Sequence, residues 1–223
     1  MLRLSACRLE QQEGEFVITF PGALHMGFNY GWNCTEAVNF ATIDWLVHGA
    51  AASNSYRAYN LRVNGTDQPK RPSLLGFERL LFTLAANWSC YTPRDRSMVH
   101  RFLEPIVQKE LCDRQGLAAG GVKKFVEAAN RDRNSPTRIS KETRDFDEMR
   151  ECCLCKHPCF LSVVICECSS DRVACLEHWS QACRCSAEKK TMVEYETAES
   201  MQQALLCLVS QSDSDVVGAI IVD

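Results

Sequence analysis

The chain has 223 residues with a formal net charge of −3, 46% hydrophobic residues and 14 cysteines. That length allows one large domain or two to three small ones with a packed core, and the charge balance gives no reason to expect general attraction to nucleic acid or an anionic membrane. No apolar run reaches the 18 residues of a membrane-spanning helix, and the residues after Met1 lack the basic and apolar regions of a secretory signal, so neither is expected.

Taken in chain order, Glu15–Phe20 is rich in aromatic and β-branched residues and stops at Pro21-Gly22, which predicts a strand and a turn. Residues 25–33, punctuated by Gly27, Asn29, Gly31 and Asn33, suit a bent, ligand-lining segment. A second strand is expected over 36–43, a helix over 44–59 and a loop over 60–72. Ser73 is placed to cap a helix whose Leu74, Phe77, Leu81, Leu84 and Trp88 form one apolar face. The same spacing through Phe102, Ile106 and Leu111 predicts a helix over 98–112 with a kink at Pro105. Gly120-Gly121 breaks the pattern, and 122–130 reads as a short helix. Residues 130–150 are dense in both charges and read as a linker or a solvated helix; their basic residues are interleaved with acids. A strand over 191–196, a helix over 199–210 and a strand over 216–222 complete the reading, with no internal repeat.

Nine of the cysteines lie between Cys152 and Cys185, with His178 among them. Such clustering points to metal in a reducing compartment rather than to a secreted disulfide framework. Cys152-x2-Cys155 has the spacing at which a tight turn presents two thiolates to one tetrahedral zinc, and Cys175-x2-His178 is a similar pair. Cys166-x-Cys168 and Cys183-x-Cys185 supply two more, so eight ligands predict two Zn²⁺ ions. The pairs can be matched sequentially or interleaved. The interleaved match puts Cys152, Cys155, Cys175 and His178 on one ion and Cys166, Cys168, Cys183 and Cys185 on the other, and ties the ends of the module together. Cys153 and Cys159 are surplus and expected to be free thiols. Both sites would be fully protein-ligated, without an open catalytic position. A RING-type ligase module would normally close on Cys-x2-Cys, whereas this chain closes on Cys-x-Cys.

His25 follows the predicted first strand and turn. Mononuclear Fe(II) oxygenases use two histidines and a carboxylate, the first two usually from a His-x-Asp/Glu. None of His25, His48, His100, His157 or His178 has an acid two residues later, so spacing leaves His25 without partners.

The segments Gly14-Glu-Phe-Val-Ile-Thr-Phe-Pro21, Leu24-His25-Met-Gly-Phe-Asn29 and Gly31-Trp-Asn-Cys-Thr-Glu-Ala-Val-Asn39-Phe together resemble the C-terminal half of a JmjC domain, and the module from Cys152 to Cys185 resembles the C5HC2 zinc finger. The two occur in this order in the JmjC histone demethylases acting on lysine 4 of histone H3. The likeness covers residues 8–60 and 150–197. It implies an α+β fold: the C-terminal part of a cupin-like double-stranded β-helix at 1–60, a helical domain or linker at 61–149, a two-zinc finger at 150–190 and a strand–helix tail at 191–223. It further implies that His25 is the third iron ligand, that Ala37, Val38 and Asn39 line a methyl-lysine pocket, and that the eight zinc ligands are those just named, with Cys159 not binding metal. Family chemistry is Fe(II)- and 2-oxoglutarate-dependent hydroxylation of an N-methyl group with loss of formaldehyde, in the nucleus, on the histone H3 tail or with other chromatin proteins. No membrane association and no sequence-specific nucleic-acid binding are expected. The family's His-x-Glu pair and 2-oxoglutarate lysine have no counterpart here. The expectation is therefore a fragment or truncated member, the alternative being a catalytically inactive zinc-binding chromatin interaction module.

Overall fold

The computed structural model describes residues 6–73, 75–128, 150–209 and 220–221. They fall into two compact units, one ending at Val38 and one beginning at Asn39. In the first unit the expected strand at 15–20 is absent: Phe16, Val17, Ile18 and Phe20 are exposed and no ladder forms among the described residues. A strand exists only through a partner that takes its backbone N–H and C=O groups, whatever the propensity of its side chains. What order there is comes from local contacts: the Tyr30 hydroxyl donates to Glu10 at 3.0 Å, and Phe28 meets Tyr30 edge to face.

The second unit begins with β1, Phe40–Ala41, which pairs antiparallel with β6, Ile220–Ile221. The strand expected over 36–43 thus shortens to two residues; of the strand expected over 216–222, residues 216–219 and 222 lie outside the described ones. A 3-10 turn at Ile43–Trp45 leads into α1, Leu46–Arg62. Here Trp45 lies over Gly49, so that a Cβ at Gly49 would sit 2.4 Å from the Trp45 ring and 3.0 Å from Phe77.

Helix α2 is Phe77–Ala86, with Gly76 rather than Ser73 as its N-cap residue. Ser73 is not the cap because its hydroxyl is used locally, donating to the Leu75 carbonyl at 2.8 Å; Leu74 lies outside the described residues. The predicted apolar face is real, with Phe77, Leu81 and Leu84 buried and Trp88 packed beside them.

The third helix is far longer than its apolar pattern indicated. α3 spans Pro93–Ala119 and continues through Pro105. Thr92 caps it by accepting the Asp95 N–H at 3.2 Å, while the Thr92 hydroxyl donates to the Asp95 carboxylate at 2.7 Å. Thr-Pro-x-Asp is a helix-start signature legible in the sequence. The other end closes on Gly121, at φ 93°, with Gly121 N–H to Ala118 O at 3.1 Å and Val122 N–H to Leu117 O at 3.2 Å. This pair of bonds is the Schellman arrangement, with the expected apolar contact between Leu117 and Val122.

Beyond that stop the predicted helix at 122–130 is instead a strand, β2, Lys124–Glu127. Its backbone is taken up by β5, Lys190–Glu194, in parallel register from Lys124↔Thr191 to Glu127↔Glu194. A partner supplied by a distant segment overrides weak local helix preference. Residues 129–149, which include most of the expected linker, lie outside the described ones. The sheet is completed by β3, Ser162–Cys166, and β4, Ser169–Ala174, in the order β2-β5-β3-β4. Helix α4, Ala198–Val209, follows, close to the predicted 199–210. The fold is α+β, and the chain returns on itself: Met201 and Leu208 of α4 enter the same core as Leu46, Leu81, Val99, Leu103 and Val107.

One buried cation joins the helices to the sheet. Arg114 of α3 pairs with Glu110 at 2.9 Å and with Glu194 of β5, and donates to the Glu196 carbonyl at 2.8 Å. Ser162 of β3 donates to the same Glu110 carboxylate at 2.5 Å. Arg114→Ala leaves two carboxylates without their counter-charge at the helix–sheet boundary. We expect a loss of about 3 kcal/mol, read as a lower urea midpoint. Gly49→Ala is expected to destabilise by about 1–2 kcal/mol in the same measurement. The clash with Trp45 outweighs the roughly 1 kcal/mol that alanine gains over glycine in a helix.

Candidate metal centre

The first ligand pair sits on a tight turn. Cys152 N–H donates to His157 O at 3.0 Å and Lys156 N–H to Cys152 O at 2.9 Å, with Lys156 at φ 56°. A bridge between Glu151 and Pro158 closes the turn's base. The Cys153 N–H then donates to Val173 O at 2.9 Å, so the turn is laid against β4. That strand delivers Cys175, and His178 N–H bonds back to Cys175 O at 3.0 Å, placing the second pair beside the first. Cys155 Sγ lies 3.9 Å from Cys175 Sγ, and His178 Nδ1 lies 3.1 Å from Cys175 Sγ and 3.9 Å from Cys152 Sγ. All four residues are buried.

The second group forms at the other end of the sheet. Cys166 closes β3 at a register shift, and Cys168 stands in the turn to β4. Cys183 and Cys185 come from the loop after His178, held by Arg172 donating to Ala182 O at 3.2 Å and Glu167 N–H to Lys189 O at 3.1 Å. The buried Lys190 donates to Trp179 O at 2.9 Å and lies over the Trp179 ring. Within each group the four potential ligand atoms lie within 4.8 Å of one another.

The structure therefore brings together the interleaved sets and not the sequential ones. It also fits the donor chemistry of zinc. A Zn–S bond of about 2.3 Å sets a tetrahedral S···S edge of about 3.8 Å, against the 3.9 Å between Cys155 and Cys175. The thiols' acidities agree. Contacts from Cys155 and Cys175 hold the Cys152 thiol below the usual range, while the same contacts push Cys175 up. The Cys185 backbone N–H draws Cys183 down to about 7, and the neighbouring Cys166 thiol pushes Cys168 up to about 12. Thiolates at this spacing repel one another, and a divalent cation removes that opposition.

Cys159 is buried, its thiol pushed well above the usual range by burial and donating to His157 O at 3.4 Å. The half-buried Cys153 thiol is also raised by burial. Neither joins a ligand group.

Sequence reasoning missed the supports of the first group. Asn60, at the end of α1, is buried; it donates to Cys155 O at 3.1 Å and Arg71 O at 2.7 Å, and accepts the Arg71 N–H at 2.7 Å. Lys70 donates to Cys153 O and Leu154 O, each at 2.8 Å. The stretch expected to be a plain loop thus clamps the carbonyls of the Cys-x2-Cys turn. Nothing in local spacing could reveal this, because the partners are more than 80 residues apart.

His25, Ala37 and Val38 are exposed in the first unit, and Asn39 is exposed at the start of the second. His25 Nδ1 lies 3.0 Å from the Ala23 carbonyl. Among the described residues no second histidine or carboxylate joins it in a metal-capable group. An Fe(II) triad needs three ligands on one face, so the described residues do not by themselves fit iron.

Comparison with known proteins agrees with both parts of the sequence reading. Residues 3–40 match the JmjC domain (hydroxylase) family, and residues 152–204 match the C5HC2 zinc finger family. The chain carries a JmjC segment and a zinc-binding C5HC2 finger, and it is homologous to the JmjC lysine-specific demethylases. Lysine-specific demethylase JMJ17 of Arabidopsis thaliana is 34% identical over 181 residues, covering 80% of this chain and 13% of that protein. Lysine-specific demethylase 5D of Homo sapiens is 34% identical over 185 residues, covering 82% of this chain and 10% of that protein. "Probable inactive lysine-specific demethylase JMJ19" of Arabidopsis thaliana is 28% identical over 205 residues, covering 83% and 26%. The chain thus spans about a quarter or less of the length of these relatives.

The two groups differ in exposure, and this predicts their exchange behaviour. Zinc release to a coloured chelator should be biphasic, the half-exposed group of Cys166, Cys168, Cys183 and Cys185 emptying first. Cys168→Ser should remove the fast phase only. Cys152→Ser should remove the slow phase and the finger's cooperative unfolding with it. Because bound thiols must be deprotonated, both phases should accelerate as the pH falls.

Proposed function

We propose that this chain is a two-zinc structural portion of a JmjC lysine demethylase of the histone H3 lysine 4 type. In this reading Cys152, Cys155, Cys175 and His178 hold one Zn²⁺, and Cys166, Cys168, Cys183 and Cys185 hold the other. The carrying observation is the folded pair of interleaved ligand groups in a chain that also bears the JmjC segment. Closed, four-ligand sites suit zinc as a folding element, supplying on the order of 10 kcal/mol each, rather than as a catalyst.

His25 would serve as the third ligand of an Fe(II) centre that also takes 2-oxoglutarate, with Ala37, Val38 and Asn39 beside the methylated lysine. The JmjC match over residues 3–40 supports this assignment. The same reading places the protein in the nucleus, with the histone H3 tail or another chromatin protein as partner. A catalytically inactive zinc-binding interaction module is the second reading, favoured by the absence of any His-x-Asp/Glu in the chain and by the resemblance to the JMJ19 protein.

Metal analysis of the purified 223-residue chain should find two zinc ions and no stoichiometric iron; fewer than two zinc ions in a folded sample would refute the structural part. With iron and 2-oxoglutarate supplied, we expect no formaldehyde from a trimethyl-lysine-4 histone H3 peptide. Turnover by this chain alone would contradict the view that His25 needs ligands from outside it.

A further inference from the structure

The overall charge is −3, yet several cations gather beside Tyr59. Arg62 at the end of α1 and Arg71 in the following loop both place their guanidinium groups over the ring of Tyr59, at 5.5 and 5.1 Å from its centre. Arg71 is anchored through its backbone to Asn60. Next to it, Lys70 is fixed on the carbonyls of Cys153 and Leu154. Cys153 in turn donates its N–H to Val173, the neighbour of Arg172 in β4. Lys156 stands in the same turn. Tyr59, Asn60, Cys153 and their bonds thus tie Arg62, Arg71, Lys70 and Lys156 to the outside of the first ligand turn, and Arg172, whose guanidinium donates to Ala182 O, stands on the adjoining strand.

Among the described residues, Lys156 is matched by Glu151 at 3.2 Å, while no carboxylate pairs with Arg62, Lys70, Arg71 or Arg172. Asp67, exposed in the same loop, is the nearby acid in sequence and makes no ion pair with them. Elsewhere among the described residues Lys109 is matched with Asp113 and Glu177, Lys123 with Glu188 and Lys124 with Glu167, while Arg94, Arg101 and Arg184 are exposed without an ion pair. What sets this surface apart is clustering: Arg62 and Arg71 share one ring, with Lys70 next to Arg71 on the Cys153 carbonyl. Four unneutralised cations are held in place by a π-face, by backbone carbonyls and by a strand.

We propose that this surface binds the phosphate backbone of a nucleic-acid duplex without regard to sequence. Three of the five cations are arginines, whose planar fork meets phosphate oxygens in pairs. Holding them on Tyr59 and on backbone groups lowers the ordering cost of each contact. The half-buried Tyr59 already carries two guanidinium groups, so the surface reads charge and not bases. The inference is independent of the demethylase reading, since it uses neither His25 nor any zinc ligand as a contact.

The test uses the zinc-loaded full chain and two fluorescent duplexes of unrelated sequence. Both should bind with equal affinity at about 50 mM salt, and log K should fall with log salt at a slope of about −3 to −4, the value for four phosphates. Arg62→Glu with Arg71→Glu should weaken binding by about tenfold or more and make the slope shallower by about 2. Lys123→Glu, at the opposite edge of the sheet, should leave it unchanged. Zinc content and circular dichroism of each double variant report whether it is folded; Arg62→Gln with Arg71→Gln is the second, milder variant and should also weaken binding. No duplex binding at low salt, duplex binding indifferent to both double variants, or preference for phosphatidylserine vesicles over duplex would overturn the proposal.

Discussion

Everything in the second half of the chain depends on placing four thiol or imidazole donors within 4.8 Å of one another, twice. Such crowding is unfavourable for bare thiolates, whose like charges repel. It becomes favourable around a divalent cation. Around the first group little else is fully buried, whereas Val164, Leu176 and Met192 form a second cluster with Leu117 and Val122. The cluster around the first group is Cys152, Cys155, Cys159, Val163, Ala174 and Cys175, so four of its six buried residues are cysteines. Ligation and hydrophobic burial are therefore not separable contributions here; the metal-binding atoms are themselves the core.

Interleaving adds a topological consequence. Each group takes one pair from the first part of the finger and one from the second, with β3 and β4 between the pairs of the first group and β4 between those of the second. The antiparallel pairing of these strands sets the distance between the groups, and the turn between them carries Cys168. Neither group can close without the sheet, and the sheet's outer strand β4 is held at both ends by residues that serve the groups.

The finger is not a bead on a linker. Leu161 enters the helical core, Arg114 bonds across to Glu194 and Glu196, and Asn60 and Lys70 clamp the first ligand turn. A cleft of about 380 Å³ remains between α1, α3 and the finger, floored by Phe77, Phe102, Leu161 and the Glu78–His157 pair, which are 3.0 Å apart. Burial lowers and the Glu78 carboxylate raises the pKa of His157, the net effect being upward. These contacts explain why helices on both sides of the finger in sequence share one body with it.

The sequence by itself determined what is local. Cys-x2-Cys and Cys-x2-His spacings specify turns that present two donors, the 3-4 spacing of Phe77, Leu81 and Leu84 specifies a buried helical face, and Gly120-Gly121 specifies a stop. The start of α3 at Thr92-Pro93 was equally local, though the apolar pattern alone pointed to a later one. Tertiary structure decided what depends on distant partners. It chose the interleaved match over the sequential one, and it made β2 a strand because β5 was there to receive its backbone. It left Glu15–Phe20 without a ladder and gave Asn60, Lys70 and Arg114 their roles. The reason is the same in each case: spacing along a chain fixes which side chains share a turn, whereas pairing across a sheet or around an ion depends on which remote segment arrives with free donors and acceptors.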